Sequence, residues 1–142
     1  MDTDNLVVRL CSEGMQAEAE GRPDEARKLF EQAWAAAQDD YEACVAAHYL
    51  ARHQSKPEAV FEWNREALER AEAVSDDRVQ GFYPSLYLNM GHSYETLGNP
   101  GEARRHYAMA AARLDHVPDG PYKDVVQNGI AGGFQRTESV EG

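Results

Sequence analysis

Histidine, cysteine and carboxylate side chains are the residues of this chain that could build a metal centre. The chain has five histidines and two cysteines. Zinc binds ligand atoms about 2.0–2.3 Å away, so its ligands must converge on one point. The sequence contains no CxxC or HExxH spacing. His48 and His53 are five residues apart and do not share a helix face. We therefore expect neither a metal nor a cofactor.

Three glycines near the C-terminus, Gly129, Gly132 and Gly133, could suggest a phosphate-binding loop or a methyl-donor site. Such loops follow a β-strand, and the sequence has no strand–helix–strand pattern. Close packing of a helix is the interpretation that we favour for these glycines. No nucleophile elbow or other catalytic signature is visible, and nothing favours a Ser–His–Asp triad. The chain is therefore not expected to be an enzyme, and no catalytic residue is assigned.

The composition limits the kinds of partner. The 142 residues include 14 basic and 25 acidic side chains, which gives a net charge of −11 and a pI near 4.8. A surface with this much negative charge repels phosphate groups. We therefore expect neither nucleic acid nor an anionic membrane as a partner. There is no apolar run of about 18 residues, and the first residues do not resemble a signal peptide. With two cysteines and no disulfide framework, we expect a cytoplasmic protein.

Small and aromatic residues recur at a fixed spacing that is typical of paired helices. Residues 88–114 are predicted to form two helices joined by a turn, because Gly98 suits a helix end with positive φ and Pro100 suits a helix start. Counting from Gly91, the pattern continues with Tyr94, Gly98, Ala103, Tyr107 and Ala110. From Gly14 it continues with Ala17, Gly21, Ala26, Phe30 and Ala33. From Ala47 it is degenerate, with Leu50, Gln54, Ala59, Trp63 and Glu66.

These residues and their spacing resemble the tetratricopeptide repeat (TPR) family, whose unit is a helix–turn–helix of about 34 residues. The resemblance covers about residues 6–114. It implies an all-α fold, a right-handed superhelical stack of antiparallel helix pairs with about seven helices. A single domain would span 5–136, with repeats at about 5–38, 39–74 and 77–116 and a capping helix at about 120–136. Residues 1–4 are expected to be flexible and 137–142 disordered.

The third repeat begins later than the pattern requires. The separation from Gly14 to Ala47 is 33 residues, and that from Ala47 to Gly91 is 44. The excess lies in residues 75–87, which we expect to add a turn or more before the fifth helix. Pro84 either starts that helix or kinks it, because proline lacks the amide donor.

The equivalent aromatic residues of the three repeats are predicted to form the core. Phe30, Trp63 and Tyr107 would fill the space between one helix pair and the next, and their burial would carry much of the stability.

The first helices of TPR repeats line a concave groove, and the resemblance carries that placement to particular residues. In the first repeat they are Cys11, Met15 and Glu18, in the second Cys44, His48 and Arg52, and in the third Asn89, His92 and Glu95. Lys123 and Asn128 of the capping helix could join them.

Two pairs of these residues occupy equivalent places in neighbouring repeats and could be joined by a metal ion or a disulfide. His48 and His92 would lie side by side, so a zinc site is conceivable, but helices about 8–10 Å apart make histidines that line the groove the better interpretation. A Cys11–Cys44 disulfide would need Cα atoms within about 6.8 Å. We therefore expect two thiols.

Members of the family mostly act as binding scaffolds, so the predicted function is protein–protein interaction in the groove. Arg52, His48, Asn89 and His92 would bind an anionic or hydrogen-bonding segment of a partner. Glu18 and Glu95 could instead pair with Arg52 internally.

Two alternatives stay open. The first is a small-molecule-binding protein or enzyme that uses His48, His92 and the tyrosines at 49, 87 and 94. The second is self-association into a homo-oligomer. An open groove would favour the peptide, and a closed pocket the small molecule.

Overall fold

A computed structural model describes residues 5–75 and 77–138 of the chain. Within these residues the protein is all-helical, with 81% helix, no strand, and seven α-helices packed in adjacent pairs. This confirms the predicted all-α helical-repeat fold. The helices are α1 (Leu6–Ala19), α2 (Pro23–Ala36), α3 (Asp40–Ala51), α4 (Pro57–Ala73), α5 (Tyr83–Thr96), α6 (Pro100–Ala112) and α7 (Pro121–Glu138).

The chain divides into two compact units, Met1–Ser75 and Asp76–Gly142. The first contains the pairs α1–α2 and α3–α4, with α2 and α1 also in contact with α3. The second contains the pair α5–α6, and α7 packs against both of its helices. The single domain over 5–136 and the right-handed superhelix stay predictions.

The helix boundaries follow from local residues. Proline occupies the first position of α2, α4 and α6, where its missing N–H costs nothing. The side chain of Asn5 caps α1 by accepting from the Val8 amide at 3.0 Å, and that of Asp39 caps α3 by accepting from the Glu42 amide at 2.8 Å. These contacts fix where each helix starts.

The turns inside the helix pairs use two different devices. Gly21 and Gly98 adopt φ of 77° and 82°, which glycine allows at no steric cost. The second pair lacks such a glycine, and there Gln54 donates its side-chain Nε2–H to the Leu50 carbonyl at 3.0 Å. In the second pair, a side chain thus donates a hydrogen bond to a carbonyl at the end of α3. In the other two pairs, a glycine with positive φ makes the turn.

Glycine lets one helix approach the aromatic residue of its partner. A Cβ on Gly14 would lie 2.5 Å from the ring of Phe30, and one on Gly91 would lie 2.5 Å from the ring of Tyr107. Tyr107 meets α7 in the same way, since a Cβ on Gly133 would lie 2.4 Å from its ring. Both rings are fully buried, so Phe30 and Tyr107 are core residues, as predicted.

Three predictions about the elements need correction or completion. Trp63 lies edge-on to the half-buried Trp34, is itself half-buried and is not part of the fully buried core. Pro84 is the second residue of α5 and starts that helix, which a 3-10 turn at Asp77–Val79 precedes. The predicted disordered tail is wrong for 137 and 138, since α7 includes both residues and Thr137 is buried. Residues 1–4 and 139–142 lie outside the described residues.

Candidate binding face

The predicted groove residues of the first unit lie on α1, on α3 and just after α3. Cys11 and Cys44 are buried, which corrects the prediction that they line a groove. They carry free thiols, and burial raises the pKa of each to about 12. Met15, Glu18 and His48 are half-buried, and Arg52 is exposed. We call the surface formed by Met15, Glu18, His48 and Arg52 the Arg52 face.

Glu18 connects the two helices of this face. One of its carboxylate oxygens accepts from the Arg52 guanidinium, and the other lies 2.6 Å from Nε2 of His53. The internal pairing of Arg52 with Glu18, left open by the sequence, is therefore present. Because 46% of the Arg52 side chain is accessible to water, the Arg52–Glu18 ion pair is expected to contribute little to stability.

Aromatic stacking connects Arg52 to the core. Its guanidinium lies 4.8 Å from the centre of the Tyr49 ring, which stacks on Phe30 at 5.1 Å with an interplanar angle of 10°. His48 meets the same tyrosine edge-on at 5.1 Å. Tyr49 therefore contacts both His48 on α3 and Arg52 just after it.

His48 is held in its neutral form. Burial, with a smaller contribution from the Arg52 charge, lowers its pKa to about 4. This histidine therefore stays neutral down to a lower pH than an ordinary histidine. A neutral imidazole has one N–H donor and one acceptor nitrogen.

The predicted site residues of the second unit form a separate cluster around Glu95. Its carboxylate accepts from Nε of Arg136 at 2.8 Å and from the hydroxyl of Tyr107 at 2.7 Å. The bond to Arg136 is the main reason why the pKa of Glu95 is lowered. Burial is the main cause that raises the pKa of Tyr107. We call Glu95, Tyr107, Arg136 and His92 the Glu95 cluster.

The remaining predicted residues of this unit make varied contacts. His92 keeps part of its side chain exposed and lies edge-on to Tyr107 at 5.7 Å. The partial burial of its ring, with the nearby charge of Arg136, lowers its pKa. Asn89 is half-buried and Asn128 is exposed. Lys123 pairs with Asp119 at 3.3 Å. Because His48 and His92 belong to different units, their side-by-side placement stays a prediction.

The tyrosines of the small-molecule alternative contact different histidines. Tyr49 contacts His48, but the rings of Tyr87 and Tyr94 lie 6.2 and 4.9 Å from His106. His106 is buried, and its Nδ1 lies 2.8 Å from the Glu102 carbonyl oxygen.

Sequence reasoning missed His53, His106 and Arg136. One feature of the sequence could have predicted the cations that bind Glu18 and Glu95. Glu18 and Glu95 stand four residues after Gly14 and Gly91, so equivalent carboxylates predict equivalent cations on a neighbouring helix.

Residues 5–75 and 77–138 contain no group of three or more His, Cys, Asp or Glu side chains that could hold a metal ion. In the same part of the chain, no helix is both long enough and apolar enough to cross a bilayer.

Comparisons of the chain with family models, with curated proteins and with solved structures gave no match.

Proposed function

We propose that this chain is a TPR-like protein-interaction module that holds a segment of a partner protein on the Arg52 face. The observation that carries the proposal is the adjacency of α1 and α3, which Glu18 connects through Arg52 and His53. In a helical-repeat fold, adjacent helices of this kind provide an extended surface without a closed pocket. Met15 adds an adaptable apolar contact to the polar groups.

The charges of the face favour a hydrogen-bonding segment over a strongly anionic one. Glu18 compensates the charge of Arg52, and the low pKa of His48 keeps it neutral. Two N–H-bearing side chains and one carboxylate suit the alternating donors and acceptors of a peptide backbone. Asn89, His92 and Glu95 of the second unit are proposed as binding residues of that unit.

We propose a binding role and no catalytic activity for the chain, with no nucleic-acid, membrane or cofactor partner. We also propose that the protein is cytoplasmic, which its two free, buried thiols support. Self-association on the same face is an outcome that the experiment below distinguishes.

Site-specific photo-crosslinking in the native host tests this function. A photoreactive amino acid at Met15 should give an adduct with a partner protein, whereas one at Glu31, exposed on α2, should not. Mass spectrometry of the adduct separates a foreign partner from a second copy of the chain.

Two arginine variants make the test specific. Arg52→Ala should abolish the adduct with little change in melting temperature. Arg27→Ala, which removes another exposed arginine that pairs with a glutamate, should leave the adduct intact. Equal adducts from positions 15 and 31, or an adduct that survives Arg52→Ala, would end the proposal.

A further inference from the structure

A cleft of about 560 Å³ opens on the first unit where α2 ends and α3 begins. We call it the Trp34 cleft; its lining consists of Trp34, Ala35, Ala37, Gln38, Asp39, Asp40, Ala43 and Arg70. Asp40 starts α3 and Arg52 follows its end. The 12 residues of that helix therefore separate Asp40, in the cleft, from Arg52 by a rise of about 18 Å along the helix axis. The cleft is separate from the surface of the proposed function.

An aromatic wall of the cleft already carries a cation. The guanidinium carbon of Arg70 lies 5.6 Å from the centre of the half-buried Trp34 ring. Trp63 lies edge-on to Trp34, with ring centres 5.0 Å apart and an interplanar angle of 88°. Arg70 is held by Asp40 at 2.9 Å and by Glu66 at 2.7 Å. The indole face is thus oriented to receive a guanidinium.

The rest of the cleft supplies hydrogen-bond acceptors and negative charge. Asp39 and Asp40 line it and Glu66 binds Arg70 beside it, so these carboxylates outnumber the guanidinium by three to one. Helix α2 ends there with no basic residue in its last turn. Its C-terminal carbonyls add partial negative charge and the N-terminus of α3 adds a similar partial positive charge, so the net negative charge of the cleft comes from the carboxylates. The surroundings favour a second cation with several N–H donors.

We propose that the Trp34 cleft binds an arginine side chain of a partner protein, which replaces Arg70 on the Trp34 ring. Arginine fits better than lysine because its planar group stacks on an indole and donates in several directions. Displacing Arg70 costs little, because 40% of its side chain is exposed and such ion pairs are weak. The acidic charge of the whole chain would attract a basic partner.

The test is an NMR titration of the full chain with N-acetyl-arginine amide, read at the indole N–H of Trp34. A Trp63→Phe variant assigns that signal, since the chain has two tryptophans. Saturable shifts are expected with arginine amide and none with the citrulline analogue, which keeps the shape without the charge. Equal shifts with both compounds, or no saturable shift with arginine amide, would overturn the proposal.

Two variants separate a specific site from general attraction to an acidic protein. Arg70→Gln should tighten binding by about threefold or more, because it removes the competing cation. Asp39→Asn should weaken binding while it keeps the α3 cap, since asparagine also caps helices. The matched control is Glu25→Gln, which removes the same charge from an exposed site on α2. Unchanged binding in Arg70→Gln, or equal weakening by Asp39→Asn and Glu25→Gln, would refute the arginine site.

Discussion

At the scale of single residues, burial separates side chains that occupy equivalent places in the sequence. Phe30 and Tyr107 are both fully buried, whereas Trp63, their counterpart in the second repeat, is half-buried. In the repeat pattern, Phe30 is paired with Gly14 and Tyr107 with Gly91, whereas Trp63 is paired with Ala47. A Cβ at either glycine would collide with the ring, so alanine leaves less room for an aromatic side chain.

Truncation of the buried rings should be costly. Phe30→Ala and Tyr107→Ala should each lower the free energy of unfolding by about 3–5 kcal/mol. Trp63→Ala should cost about 2 kcal/mol or less, because water already reaches part of its ring. Denaturant titrations of the three variants measure these values. A loss for Trp63→Ala that equals the loss for Phe30→Ala would contradict the half-buried position.

The low pKa of His48 predicts a pH-dependent stability. Its pKa of about 4 lies below the ordinary value of 6.5, so the unfolded chain binds its proton more readily. The stabilising contribution of neutral His48 is fully present above about pH 6.5 and is lost as the pH falls towards 4. The loss is on the order of 2–3 kcal/mol.

Urea titrations between pH 4 and 7 test this dependence by comparison of variants. His48→Gln should lose less stability over this range than the unmodified protein. His116→Gln, which replaces an exposed histidine, should behave like the unmodified protein. Parallel curves for all three proteins would show that His48 titrates normally.

At the scale of helices, two repeated contacts define how elements meet. Glycine against an aromatic ring joins α1 to α2 and α5 to α6. A carboxylate four residues after that glycine, Glu18 or Glu95, binds an arginine from a neighbouring helix. In the second repeat the equivalent residue is Ala51, which has no carboxylate. The degenerate second repeat therefore departs from the pattern in both its packing and its ion pairing.

The close helix approach predicts opposite effects of one substitution at different glycines. Gly14→Ala and Gly91→Ala should each destabilise the protein by about 1–3 kcal/mol, because the new methyl group forces the rings of Phe30 and Tyr107 aside. Gly101→Ala is the matched control, since its Cβ would meet only a side-chain oxygen at 3.9 Å. It should stabilise α6 by about 0.4–1 kcal/mol. Thermal melts that show a stabilising effect at Gly14 or Gly91 would argue against the close approach.

At the scale of the whole molecule, each compact unit has its own core. Phe30 and its neighbouring alanines are buried within Met1–Ser75, and Tyr107 is buried within Asp76–Gly142. Each unit closes its core with helices of its own, α1–α4 in the first and α5–α7 in the second.

This division predicts that the two units form separately. Fragments 1–75 and 76–142 should each show helical circular dichroism and a cooperative thermal transition, although with low stability, because small domains bury a small fraction of their surface. Tyr107→Ala should abolish the transition of fragment 76–142. A fragment without helical signal would show that its helices depend on the other unit.

The sequence by itself determined the helices, their pairing and their turns. These features depend on neighbours along the chain: proline at helix starts, glycine at turns, and small residues spaced to meet an aromatic ring. The repeated spacing also predicted Phe30 and Tyr107 as core residues, together with Trp63, which is half-buried. It left the pairing of Glu18 with Arg52 open.

Only the tertiary structure decided what each functional side chain contacts. That Cys11 and Cys44 are buried, that Trp63 is not, and that His48 is neutral depends on the area that other helices remove from water. The contacts of Glu18 with His53 and of Glu95 with Arg136 join residues 35 and 41 positions apart. The Trp34 cleft likewise exists because α4 brings Arg70 to the junction of α2 and α3. Solvent exposure and long-range pairing are sums over distant neighbours, which residue type and spacing alone do not specify.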